Sequence, residues 1–163
     1  FSPATTPVAL QQPRQRSLAF ANFRVQGPYT APMIYLKSAN HIVRDDYNRW
    51  IMPPETLAAN SLYHALVAAN VFTQVLPSTS RHAELQLSGT LLALEVTPDL
   101  QAHLQLFLQL NDIVGNKIVL SKIYRQHIPL RESSPEAFAE AAGIAITAIA
   151  ADLIADILQQ LPE

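Results

Sequence analysis

The stretch Ala102-His103-Leu104-Gln105-Leu106-Phe107-Leu108-Gln109-Leu110 decides the fold. Its even positions are all apolar, while its odd positions carry His, Gln, Phe and Gln. A period of two belongs to a strand with one dry face. Upstream, Leu85, Leu87, Gly89, Leu91 and Ala93 repeat the alternation, and Ile118 to Ile128 repeat it beyond the turn Val114-Gly115-Asn116. Three long strands with short connections read as an antiparallel meander.

Working outward, Ser133-Ser134-Pro135-Glu136 is a helix start, with Ser133 and Glu136 at capping-box spacing and Pro135 in the first turn. The helix is expected over Pro135–Leu161. Ala142, Ile146, Ile149, Leu153 and Ile157 share one face, whereas Ile144, Ile154 and Leu158 lie on a flank away from it. Toward the N-terminus, Pro53-Pro54-Glu55 opens another helix, since proline and an acidic residue both suit a first turn. Leu57, Ala65, Ala68 and Phe72 fall near one stripe, widened by Leu62 and Leu66, and Val71-Phe72 ends the helix. Before it, Met33–Leu36 and His41–Trp50 read as a hairpin joined through Ser38-Ala39-Asn40. Leu18 to Val25 is a strand whose parity shifts at Phe23, a sign of a bulge, and Gly27-Pro28 breaks it. Residues 1–16, with Pro3, Pro7 and Pro13, read as an extended lead-in. The fold class is therefore α+β: a largely antiparallel sheet with two helices packed on one face, in a single domain over residues 1–163.

Composition narrows the function. Charged residues make up 15% of the 163-residue chain and its formal net charge is -2, which argues against a nucleic-acid binder. The 4 glycines are too scattered for a phosphate-binding loop. With no cysteine there is no disulfide, thiolate metal site or cysteine nucleophile in the chain. The uncharged stretch 141–151 is shorter than the ~18 residues a membrane span requires, so no transmembrane segment is expected. Sparing use of charge is compatible with a homo-oligomer.

Catalytic chemistry finds little footing. The histidines His41, His64, His82, His103 and His127 form no HxxxH or HExxH pair. His103 and His127 are placed to face each other across neighbouring strands, which leaves a weak metal site open beside the simpler reading of solvent-facing histidines. Asp45 and Asp46, adjacent on a strand, point to opposite faces and cannot share a proton. Asp152 and Asp156 share a helix face and mark its solvated side. No nucleophile elbow or SxxK occurs. No catalytic, metal or cofactor-binding residue is assigned, and the protein is read as a non-enzyme. Tyr35, Tyr47 and Trp50 cluster around the first hairpin, as binding residues or as a packed lid over the sheet–helix junction. Phe107, on the wet parity of its strand, reads either as a lone exposed ring or, with Leu92 and Leu94, as part of a contact patch.

The run Tyr47-Asn48-Arg49-Trp50-Ile51-Met52-Pro53-Pro54-Glu55-Thr56-Leu57, preceded by Ile34-Tyr35 and followed by Leu62, Leu66, Phe72 and Val75, resembles the ABC-transport auxiliary lipoproteins, the group that includes the PqiC-like proteins. The strands near Leu85–Leu94 and Ala102–Leu110 and the final Ala/Ile-rich helix agree in order, so the resemblance covers nearly the whole chain. Tyr35, Tyr47, Trp50, Pro53 and Pro54 carry the signature and are read as structural. The resemblance implies a periplasmic lipoprotein of a Gram-negative bacterium, held at the outer membrane by a lipidated cysteine upstream of Phe1. Its implied partners are an MCE-domain protein and the ABC permease of a lipid-transport system, with phospholipid as a further contact. Docking is expected through Ile144, Ile154 and Leu158 or through Phe107. Two alternatives remain: a stand-alone lipid-binding carrier and an outer-membrane assembly scaffold.

Overall fold

The computed structural model describes residues 14–77 and 82–161. Its chain order is β1 (Arg14–Phe20), β2 (Arg24–Val25), β3 (Pro32–Ser38), β4 (His41–Arg49), α1 (Pro54–Ala69), β5 (Phe72–Leu76), β6 (Leu85–Val96), β7 (Gln101–Asp112), β8 (Lys117–Pro129) and α2 (Pro135–Gln160). The meander expected from the alternation is present. β6 pairs antiparallel with β7 through Leu87↔Leu110 and Leu91↔Leu106, and β7 pairs antiparallel with β8 through Leu106↔Tyr124.

The other edge of β6 departs from expectation. It takes three short partners in turn, all parallel: β1 at Leu18↔Leu85, β2 at Arg24↔Thr90 and β3 at Tyr35↔Val96. β1 also pairs parallel with β5, and β3 closes the first hairpin with β4. The sheet is thus mixed, not largely antiparallel. The apolar alternation of β1 and β3 shows which side of each strand is dry but carries no sign of the neighbour's direction. The break between β1 and β2 falls where the parity shift placed it. Gly89 on β6 explains how the chain passes there, because a Cβ at Gly89 would lie 2.6 Å from the Phe23 ring.

Both helices cover the same sheet face. Leu85, Leu87, Leu91, Leu104, Leu106, Leu108 and Leu110 are buried beneath Leu62 and Leu66 of α1 and Phe138, Ile149, Leu153 and Ile157 of α2. Each fully buried Leu or Ile contributes about 1.5–3 kcal/mol relative to exposure. The buried stripe of α1 is Ala58, Leu62, Leu66 and Ala69. It lies to one side of the expected stripe, with Leu57 and Ala65 half-buried and Ala68 exposed. α1 ends at Asn70, whose left-handed backbone (φ 54, ψ 39) turns the chain sharply. Val71-Phe72 therefore does not finish the helix but leads into β5, a strand the sequence reading missed. α2 is capped one residue later than expected, by the Ser134 hydroxyl, which accepts from the Ala137 N–H at 3.1 Å.

Two further expectations are revised. Arg14–Arg16, placed in the lead-in, already belong to β1; the rest of the lead-in lies outside the described residues. α2 has a mean hydropathy of 1.9 over its most apolar window and is long enough by that measure to cross a bilayer, which the shorter stretch 141–151 did not suggest. In this fold its apolar face is spent on the sheet: Ala137, Phe138, Ala141, Ala145, Ile149 and Leu153 are buried.

Candidate functional site

α1 and α2 run in the same direction and leave a groove between them. Near their N-termini it is lined by Trp50, Ile51, Leu57, Ala142 and Ile146, with Leu94 and Leu104 of the sheet as the floor and a volume of about 300 Å³. Toward their C-termini it continues between Ala65 and Ala68 of α1 and Thr147 and Ala150 of α2, with a similar volume of about 320 Å³. Ser61, Gly143 and Ile146 border both parts. The polar atoms here are few, and the Thr147 hydroxyl already donates to the Gly143 carbonyl at 2.9 Å.

Gly143 shows how open the groove is. Glycine between two helices usually permits close approach, yet a Cβ at Gly143 would meet nothing within 4 Å. Gly143→Ala should then raise stability by about 0.8–1 kcal/mol, the helix-propensity difference, with no packing cost. A urea midpoint that falls instead would show that the helices close over this position.

Two of the signature residues, Trp50 and Pro54, line one end of the groove. Trp50 and Tyr35 both meet the fully buried Phe138 ring edge-on, with centroids 5.0 and 5.8 Å away. The Trp50 N–H donates to the Ala31 carbonyl at 2.7 Å, which ties the end of β4 to the strand before it. Pro54 is buried at the first position of α1, where its missing N–H costs nothing, and Pro53 precedes it as the N-cap. Tyr47 stands apart at 96% exposure, and Ile51 at the groove mouth is 89% exposed. Trp50 therefore packs as a lid, while Tyr47 and Ile51 are left for solvent or a partner.

The expected docking flank is not a single surface. Ile154 is 3% exposed and belongs to the core, because α2 covers the sheet over a wider arc than the stripe through Ala142 and Ile149 indicated. Leu158 is half-buried against that core. Ile144 is exposed. On the far side of the sheet Phe107 is half-buried, paired across the ladder with Ile123 on one side and Thr90 on the other. Its expected companions separate, because the register of β6 shifts between Leu91 and Ala93 and turns Leu94 to the helix side opposite Leu104.

The polar residues act as fasteners. His103 and His127 are partners across β7 and β8 with rings stacked at 4.3 Å and planes 3° apart, so their in-plane lone pairs do not converge on one ion. Among the described residues no group of three or more His, Asp or Glu is arranged to hold a metal. Glu95, buried on β6, accepts from the Tyr29 hydroxyl and sits 3.1 Å from His103 Nδ1. Asp45 accepts from the backbone N–H groups of Tyr47 and Asn48, both at 3.0 Å, closing a local turn. Asp156 is not simply a solvated helix residue: it accepts from Tyr124 at 2.7 Å and Lys122 at 3.0 Å, pinning α2 to β8.

Glu95, Asp156 and Asp112, the last residue of β7, titrate below their ordinary values, as does Asp45, which the Asn48 side chain holds down. Burial pushes Glu95 and Asp156 upward, but hydrogen bonds from His103 and Tyr29, and from Tyr124 and Lys122, outweigh it. Asp112 is lowered first by the Gly115 N–H and then by Arg16. Since each folded value is depressed, the stabilisation is complete above the ordinary values of 3.8 and 4.5 and is lost as pH falls through the folded ones. Urea midpoints should accordingly drop as the pH is lowered below about 4.5. A flat midpoint down to pH 3 would contradict the hydrogen bonds at these carboxyls.

Comparison with known proteins gives this fold its relatives. A Xanthomonas campestris protein of the DUF330 family has 15% identity and a TM-score of 0.79, with 94% of each chain covered. An uncharacterized protein has 13% identity and a TM-score of 0.73 over 93% of this chain and 99% of its own. A hypothetical protein from Chlamydia trachomatis has 11% identity and a TM-score of 0.62 over 90% of this chain and 98% of its own. These likenesses are of fold. No curated protein matches the chain. Residues 8–154 match the model of one family, described as the ABC-type transport auxiliary lipoprotein component. With most of its residues covered by that match, the chain belongs to the family of ABC-type transport auxiliary lipoproteins.

Proposed function

We propose that this protein is the periplasmic accessory lipoprotein of an MCE-type ABC lipid-transport system, held at the outer membrane by an N-terminal lipid anchor. It docks the MCE component there, supporting lipid passage between the membranes and envelope integrity. Membership of a family of transport auxiliary lipoproteins carries this reading. Ile51, exposed at the groove mouth, and Tyr47, exposed on β4, supply apolar surface for a partner. Phe107 with Ile123 offers a second, smaller one on the opposite sheet face. No catalytic step is assigned to any residue.

A photoreactive residue at Ile51 of the full-length lipoprotein, crosslinked in cells, tests this directly. Recovery of an MCE-domain protein with its permease is the expected result. The same experiment with the probe at Phe107 distinguishes the two faces. Recovery of neither protein from either position would sink the docking role.

The groove itself favours one alternative, a carrier that holds an acyl chain. Its walls are almost free of hydrogen-bonding groups, which suits a ligand that has none. Phospholipid retained by the purified protein, and lost in Gly143→Phe, would favour that reading.

A further inference from the structure

The turn between β7 and β8, with the start of β8, carries three large apolar side chains into solvent. Ile113 is 52% exposed, Val114 77% and Ile118 60%. They lie on a braced turn rather than a loose one. Asp112 accepts from the Gly115 N–H at 2.8 Å and from Arg16 at 2.9 Å, and the Ile113 N–H donates to the Glu84 carbonyl at 2.8 Å. An exposed apolar tip held stiff by its base is shaped to enter something.

The same bonds place the tip relative to the rest of the chain. Arg16 stands near the start of β1, and it reaches both Glu84 and Asp112. Leu85, the first residue of β6, pairs with Leu18 on one side and Asp112 on the other. The polypeptide thus enters β1 at the end of the sheet where the tip projects. Trp50 and Ile51 lie at the other end, beside Leu94 and Leu104.

We infer that Ile113, Val114 and Ile118 insert shallowly into the lipid leaflet that holds the N-terminal anchor, an inference that rests on the anchoring proposed above. Three side chains at one turn cover far less than the roughly 800 Å² per partner of a stable protein interface. A leaflet demands no such area, since apolar side chains need only pass the headgroups. Lys117, exposed beside the tip, can meet lipid phosphate; at the base Arg16 is shared by the carboxylates of Glu84 and Asp112, so the four charges sum to zero and the tip carries no net negative charge. A lipid tether alone lets a domain tumble. A second contact fixes its orientation, with the Trp50 and Ile51 end of the groove turned away from the bilayer.

The absence of cysteine makes the test clean. Val114→Cys and, as the opposite-end control, Tyr47→Cys are labelled with an environment-sensitive NBD dye in the chain carrying an N-terminal hexahistidine tag. Each is bound to phosphatidylethanolamine–phosphatidylglycerol vesicles containing a nickel-chelating lipid. The expected result is a blue shift and gain of emission at position 114, lost with nitroxide-labelled lipids, and no change at position 47. An unchanged spectrum at 114 on protein that co-floats with the vesicles overturns the inference, as does equal insertion at 47. Because this tether replaces the natural anchor, its outcome is independent of the in-cell crosslink: insertion at 114 without an MCE partner would leave this contact standing and remove only the transport reading.

Discussion

Phe138→Ala should cost about 3–5 kcal/mol of stability, the usual range for emptying a buried phenylalanine site. Phe138 is fully buried in the first turns of α2, and two aromatic rings press their edges on it from different elements, Tyr35 from β3 and Trp50 from the end of β4. Neither neighbour can collapse into the hole easily. Trp50 is held by its backbone bond to Ala31, and Tyr35 by its place in the ladder opposite Val43 and Val96. Against a total stability of roughly 5–15 kcal/mol for an ordinary domain, the loss is large enough to leave a measurable unfolded fraction in water. Urea unfolding followed by far-ultraviolet dichroism reads it. A loss below about 1 kcal/mol would mean that α2 is not seated on the hairpin in solution.

Ile154→Ser should cost about 3–5 kcal/mol, while Ile144→Ser should change stability by no more than about 0.5 kcal/mol. The two residues share a helix and a chemistry but not an environment: Ile154 is 3% exposed and Ile144 38%. Serine at 154 removes buried methyl groups and adds a hydroxyl among apolar neighbours. Comparable effects of the two substitutions would show that α2 sits rotated on the sheet, with Ile154 out of the core. The pair also separates docking from folding, because weaker partner recovery with Ile144→Ser is not explained by an unfolded domain.

Legibility in the sequence followed locality. The β6–β7–β8 meander, the β3–β4 hairpin and both helices were read from alternation, turns and caps lying within a few residues of each other. The parallel pairings of β1, β2 and β3 on β6 were not, since Leu18 and Leu85 meet across 67 positions with nothing in either segment to announce the other. β5 was hidden because Val71 and Phe72 continue the helical spacing of α1, and only the left-handed Asn70 stops it. Asparagine after an Ala-rich run was the available signal. Trp50 was legible as a lid over the sheet–helix junction, but the groove beside it was not: periodicity gives the apolar side of each helix and not the distance between two. Ile154 failed for a related reason, because the width of a buried arc depends on the curvature of what it covers.

β6 carries one more consequence, in the order of events during folding. It borders four other strands, and three of them precede it in the chain. Until residues 85–96 exist, β1, β2 and β3 have no common strand on which to assemble, and only local pieces such as the β3–β4 hairpin and α1 can form. High contact order of this kind slows folding. For a polypeptide exported through a membrane before it folds, such a delay is useful, because the N-terminal half stays threadable until the strand that completes it arrives.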